Sequence, residues 1–418
     1  MRVKIVEGVH LNVVPSKQFK TTHVNIQFLA PLRRETIGAR TLLTSLLETS
    51  SADYPSQNLL SAQLEKMYGA SFGIGVSRSG RVHRVGASIN VLDDNFTESP
   101  LLPEAFAFLR RVLFRPLIKD GSFDAATFAR ERDNLAIYLN SMNDDRGTQA
   151  GLRVQQTYFD DPAQAVPSFG TAADLGNLTA QSLVDTYTDM LQNDQIEIIV
   201  MGNVDADHVA DLTRELNFAP RADLNVSIPY DQAVHGGIRL FQESEDVKQS
   251  KLNLAYHVQT DSFGPRYYAA ELAAQLFGGS PLSLLFRNVR EKQSMAYYAN
   301  ASTNLNRHIM MVQTGIDAVN RARVEELIGE QLAMVANGKF TDGQLEAVRT
   351  GMLSDRRAAL DSMQYLSDMA LTAALFPNRV VTPERELELI TAATRAEVQQ
   401  AAAGMQLQAV YFLKGETK

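Results

Sequence analysis

The chain of 418 residues contains no cysteine, and that absence removes disulfides, thiolate zinc sites and thiol nucleophiles together. No stretch approaches the ~18 consecutive apolar residues that a membrane-spanning helix needs, so no membrane partner is expected. The N-terminus, MRVKIVEGVHLNVVP, moves straight into strand-like alternation and lacks an apolar signal core and a small-residue cleavage site; the expected location is the cytoplasm. A dominant basic face is missing as well. The net charge of -8 disfavours nucleic acid as the main partner, because phosphate binding needs clustered cations. The seven histidines are His10, His23, His83, His208, His235, His257 and His308. No two are close enough to share a helical turn, which excludes a local helix-borne metal site built on two of them. A site assembled from distant strands is left open, but each histidine is read first as a strand-face or solvated-loop residue.

What is present is a globular chain, 45% apolar and long enough for two to three domains. Its clearest organisational signal is a long-period internal repeat. THVNIQFLA (Thr22 to Ala30) and SKLNLAYHV (Ser250 to Val258) are both strand-like alternations. GSFDAATFARERDNLAIYLNSM (Gly121 to Met142) parallels GKFTDGQLEAVRTGMLSDRRAALDSM (Gly338 to Met363), each a Gly-x-Phe turn feeding a long amphipathic helix. NLTAQSLVDTYTDMLQNDQIEIIVMGNV (Asn177 to Val204) parallels ITAATRAEVQQAAAGMQLQAVYFLKG (Ile390 to Gly415), each a helix followed by a strand. Two copies of one unit therefore fit better than two unrelated domains. The stretch Asn217 to Gly237 carries two prolines and paired glycines without helical period, as a linker should. The boundary is placed at Asp223, giving domains 1–222 and 223–418. Strands grouped in pairs, such as Ser71 to Ser77 and His83 to Val91, point to an α+β fold with helices on one face of a largely antiparallel sheet.

One stretch raises a chemical question. In TLLTSLLETSSADYP (Thr41 to Pro55), Thr41, Thr44, Ser45 and Glu48 recur at helical spacing, forming a hydroxyl-rich stripe opposite a leucine face. RRETIGAR and DRRAA read as solvated helix faces. No phosphate loop is present, since Phe277, Gly278 and Gly279 lack a following Lys-Ser/Thr; these glycines are read as a helix stop that permits close chain approach.

The run FGGSPLSLLFRNVREKQSMAYYANAS from Phe277, with LEKMYGA (Leu64 to Ala70) following Tyr54-Pro55, resembles the M16 peptidase family (insulinase- and pitrilysin-like, M16B), in particular its non-catalytic YmfF-like members. The resemblance extends over the whole chain and implies two homologous M16 domains of the kind found in LuxS and mitochondrial processing peptidase. Active M16 enzymes carry H-x-x-E-H on their first helix, where two imidazoles hold zinc and the glutamate activates water. Aligned on Tyr54-Pro55, that motif falls on Thr41, Leu42, Leu43, Thr44 and Ser45. The third ligand, a glutamate in the family, falls on Tyr138, with Glu131 matching the glutamate seven residues earlier. Neutral hydroxyls are poor zinc ligands, and Thr44 is no base near neutral pH. The zinc motif is therefore expected to be degenerate, with no metal and no cofactor in this chain.

The same resemblance implies that Arg290 and Tyr297 are the family's substrate-binding pair. A guanidinium and a phenol can donate to a carbonyl oxygen as charge develops on it. From spacing alone, Arg290 beside Glu291 also fits a solvated surface, and Tyr297 a half-buried strand position. Tyr298 competes with Tyr297, but alternation puts it on the opposite face. In two-subunit M16B peptidases one chain supplies zinc and the other this pair, which implies a heterodimer with a zinc-bearing paralogue and a peptide substrate. The alternative is a peptide- or protein-binding scaffold with no proteolytic role. An independent metallopeptidase is disfavoured by the lost ligands.

Overall fold

A computed structural model describes residues 1–416. The chain forms two compact units, neither of them continuous in sequence. The first comprises Met1–Ser141, Pro167–Ile228 and Ser362–Leu375; the second comprises Met142–Val166, Pro229–Asp361 and the chain from Phe376 onward. The boundary read at Asp223 lies close to the passage at Ile228 and Pro229. A single linear cut misses two short excursions, each directly following one of the repeated long helices, Ala125–Ser141 and Asp342–Ala359.

The first unit is built on strands β1 (Arg2–Val6), β2 (Val9–Pro15), β3 (Thr21–Pro31), β4 (Ser71–Ser79) and β5 (Val82–Leu92), a two-residue hairpin β6 (Ile118–Lys119) and β7 (Ser122–Phe123), and β8 (Gln195–Gly202). Six of these form one sheet in the order β1-β2-β8-β3-β5-β4. Only β2 and β8 run parallel. Alternation along β3 decides what each face carries. Val24, Ile26 and Phe28 enter the apolar core with Ile196, Ile198 and Val200 of β8 and with Leu42, Leu43, Leu46 and Leu47 of helix α1 (Ile37–Thr49). His23, Asn25 and Gln27, the intervening residues, are buried as well. Their face is met by the helix Met363–Leu375 from the later half of the sequence, whose Ser367 hydroxyl accepts from Asn25 Nδ2 at 3.5 Å.

The second unit repeats the plan with β9 (Arg239–Glu245), β10 (Ser250–His257), β11 (Tyr298–Asn304), β12 (Ile309–Ile316) and β13 (Gln406–Gly415), in the order β11-β12-β10-β13-β9. Again one pair, β13 with β9, is parallel and the rest are antiparallel. Leu252, Leu254 and Tyr256 of β10 and Val410 and Phe412 of β13 pack under the helices Pro265–Ala274, Arg321–Ala336 and Arg395–Ala403. The opposite face, with Ala255, Ala409, Tyr411 and Leu413, is covered by Ala150, Val154 and Tyr158 from the helix Arg146–Tyr158. The fold is thus α+β with two largely antiparallel sheets. In both units a helix from the other half of the sequence also covers the second face of the sheet.

Candidate functional site

Helix α1 is fixed by a buried polar anchor one residue before the hydroxyl stripe. Arg40, 3% exposed, donates from one guanidinium nitrogen to Asp194 Oδ2 at 2.6 Å and from Nε to His83 Nδ1 at 3.1 Å. The other ring nitrogen of His83 lies 2.8 Å from the Ser168 carbonyl oxygen. Accepting from Arg40 on one side and donating to Ser168 on the other requires the neutral imidazole. Burial, reinforced by the positive charge of Arg40, pushes His83 down to about 3.

With α1 held in this way, the stripe turns inward on its own backbone. The Thr41 hydroxyl donates to the Ile37 carbonyl oxygen at 2.9 Å, and the Thr44 hydroxyl donates to that of Thr41 at 2.8 Å. Both residues are buried, and Ser45 is half-buried. These contacts are intrahelical back-bonds, which satisfy a hydroxyl without any ligand. Tyr138 lies elsewhere in the same unit, on the helix Ala125–Ser141; it is 55% exposed, with its ring edge-on to Phe169 at 6.3 Å.

Two carboxylates stand beside the hydroxyl stripe. Glu48, one turn beyond Ser45, has its pKa raised, first by burial and then by the nearby charge of Glu131. Glu131 is itself buried and is bonded by Arg130 Nε at 2.8 Å. Glu48 lines a cavity of about 400 Å³ within the first unit, together with Gly75 of the edge strand β4, Asn25, Gln27, Arg84 and Asp368. It offers acceptors, a guanidinium and an open strand edge, but no imidazole. It can bind polar groups without presenting a zinc-activated water.

In the second unit, Gly278 closes a π-helical turn, Gln275–Gly279. A Cβ there would lie 2.8 Å from Ala301 Cβ and 2.6 Å from Leu285 Cδ1, so glycine permits the close approach of this turn to β11. A second π-helical segment, Leu285–Lys292, buries Leu285 and Val289 and leaves Arg290 exposed. The Arg290 guanidinium lies 4.6 Å from the centre of the Phe286 ring. Stacking of this kind restrains the side chain while leaving its N–H edge usable. Ser294, in the left-handed region at φ 52°, lies between this segment and β11. Tyr297 is pinned by its own N–H to the Gly315 carbonyl oxygen at 2.8 Å, and its ring is 59% exposed. Its hydroxyl donates to Asp317 Oδ1 at 3.0 Å, and that bond raises the phenol's pKa. Tyr297 therefore has its proton engaged, and its hydroxyl can donate elsewhere only by leaving Asp317. Tyr298 is half-buried, with the Lys251 ammonium 5.1 Å from its ring centre.

Sequence reading named these six positions but missed the Arg40–His83–Asp194 anchor. Its members are separated by tens of residues, and only the pairing of β3 with β5 and the path of β8 bring them to α1. Arg40 ends RRETIGAR, read above as a solvated helix face; the structure corrects this, because Asp194 and His83 supply the buried partners that let its guanidinium leave water. Sequence reading also left Asp231, His257 and His308 apart, whereas the fold places them together.

Two sheet-and-helix units of this plan define the class: an α+β metallopeptidase fold. The chain belongs to the M16 peptidase family. The family described as Peptidase M16 inactive domain matches residues 177–352. A Bacillus subtilis (strain 168) protein described as "Probable inactive metalloprotease YmfF" is 26% identical over 418 residues, covering 98% of this chain and 96% of its own. The crystal structure of a conserved protein from Enterococcus faecalis V583 superposes with a TM-score of 0.96 at 40% identity, covering 100% of this chain and 99% of the other. A peptidase M16 inactive domain from Pseudomonas fluorescens shares the fold, with a TM-score of 0.82 at 16% identity and coverage of 100% and 98%. The chain is an inactive M16 metalloprotease homologue, in keeping with a non-catalytic role.

Proposed function

We propose that this chain is the non-catalytic subunit of a two-subunit M16 peptidase, presenting Arg290 and Tyr297 to a peptide held at the zinc of a paralogous partner. The observation that carries this reading is an asymmetry between the two halves. Thr41 and Thr44 are committed to their own helix, whereas Arg290 is exposed on a braced π-helical segment and Tyr297 is exposed on the turn just before β11. Arg290 would donate to the scissile carbonyl oxygen as it becomes an oxyanion, and Tyr297 would join once a substrate group displaces it from Asp317. Zinc, and the water it activates, would belong to the partner.

Co-expression with a paralogue carrying H-x-x-E-H tests this reading. Arg290→Ala in a confirmed complex should lower kcat by about 10²–10³-fold, the usual loss when one oxyanion donor is removed. Unchanged turnover would overturn the catalytic assignment.

The cavity beside Glu48 and β4 favours a second reading, a scaffold that holds a peptide without cleaving it. Titration calorimetry would separate the two: tight binding of an intact peptide by this chain alone, with no peptidase activity in any paired complex, supports the scaffold.

A further inference from the structure

We propose that Asp231, His257 and His308 form a binding site for a late first-row divalent metal ion, of which zinc is the natural probe, in the second unit of this chain. The site is independent of the peptidase-subunit reading, since none of the three residues takes part in it. Their potential ligand atoms all lie within 4.8 Å of one another. His257 Nε2 and His308 Nδ1 are each 3.0 Å from Asp231 Oδ1, and the two imidazole rings are 6.0 Å apart at 70°. A tetrahedral zinc with bonds of about 2.1 Å separates its donors by about 3.4 Å, so each imidazole–carboxylate pair would open by a few tenths of an ångström and the two imidazole nitrogens, within 4.8 Å of each other, would settle to the same spacing.

The competing explanation is a carboxylate that simply hydrogen-bonds two histidines. Both histidines reach the carboxylate: His257 Nε2 and His308 Nδ1 each lie 3.0 Å from Asp231 Oδ1, but the His308 contact is poorly aligned and its Nδ1 is buried. One carboxylate oxygen facing two imidazole nitrogens, one of them poorly aligned, is an arrangement a shared cation would satisfy. Two imidazoles and one carboxylate are also a recurrent three-ligand set for zinc and for other first-row ions, with the remaining positions left to water. Here the histidines are buried, while the Asp231 side chain is 55% exposed and opens the site toward solvent.

The frame is rigid where the histidines stand. His257 ends β10 opposite Ile309 of β12, and His308 immediately precedes that strand in the left-handed conformation at φ 50°. The His308 carbonyl oxygen accepts from Val258 N–H at 2.9 Å and from the Tyr158 hydroxyl at 3.1 Å. Asp231 comes from the irregular segment after Pro229, held to the sheet by Tyr230 N–H to the Asn306 carbonyl oxygen at 2.8 Å. An ion at this point would staple that segment to the end of the β10–β12 pair, a structural role that needs no catalytic step.

The full-length chain, stripped with chelator and dialysed against buffered Zn²⁺, should retain one zinc per chain by elemental analysis. Substituting Co²⁺ should give visible d–d bands of an imidazole- and oxygen-ligated ion. Asp231→Asn and His308→Gln should each weaken binding at least tenfold and abolish those bands. Because His308 is buried and its variant can misfold, the exposed Asp231→Asn variant decides the matter. Absence of stoichiometric zinc in the wild type, or equal zinc affinity in Asp231→Asn, would overturn the proposal.

Discussion

Replacing His83 with Gln should abolish a specific part of the protein's acid sensitivity. In the folded chain His83 is held neutral, down at about 3, against an ordinary value of 6.5. The unfolded chain therefore takes up the proton first. The stabilisation is complete above about pH 6.5 and is lost progressively as pH falls toward 3. Its full size is about 5 kcal/mol, from ~1.4 kcal/mol for each tenfold difference in proton affinity. Between pH 7.5 and 5.5 only the unfolded histidine titrates, so this window depends little on the exact folded value. The loss there is about 1.4 kcal/mol. Glutamine stays neutral and can still accept from Arg40 and donate to the Ser168 carbonyl, so His83→Gln keeps the anchor without the proton linkage. Two units need not unfold together, so the assay should be local: hydrogen-exchange protection of β3 and β5 amides, corrected for intrinsic rates, in both proteins at both pH values. The wild type should lose about 1.4 kcal/mol more protection than the variant. Parallel losses, or an imidazole resonance for His83 titrating near 6.5, would refute the reasoning.

The second unit should respond to pH with the opposite sign. Glu271 is pushed up to about 7 by burial, which outweighs the attraction of Arg356 at 3.2 Å. A raised carboxyl takes up its proton more readily in the folded state, so stability is greater below pH 4.5 and falls as pH rises through 7. The unit should be about 1.3 kcal/mol more stable at pH 6 than at pH 8; Glu271→Gln should flatten that difference in calorimetry, while a slope equal to that of the wild type would dismiss the assignment. Thr41→Ala and Thr44→Ala should each change stability by less than about 1 kcal/mol, because each removes only a hydroxyl bonded to its own helix. Loss of several kcal/mol on urea unfolding would mean that the stripe has contacts beyond its helix.

Alternation and helical period were sufficient to read β3, β5, β10 and the leucine face of α1, because strands and helices impose periods of two and 3.6 on any half-buried sequence. The duplication was legible for the same reason, since both halves repeat the order of elements. Motif register alone also named Thr41, Thr44, Ser45, Tyr138, Arg290 and Tyr297. What those side chains touch was not legible. That the Thr41 and Thr44 hydroxyls close on their own helix, and that the Tyr297 phenol is bonded to Asp317, depends on side-chain direction and on neighbours distant in sequence.

The sequence by itself determined a duplicated α+β chain with no cysteine and no paired helical histidines, because residue identity settles which chemistry is available. Only the tertiary structure decided which residues share a site. The exchange of Met142–Val166 and Ser362–Leu375 between units, the burial of Arg40 with His83 and Asp194, and the convergence of Asp231, His257 and His308 all follow from strand order and chain crossing. Those are long-range contacts with no period and no local motif, so the linear order of residues carries no direct trace of them.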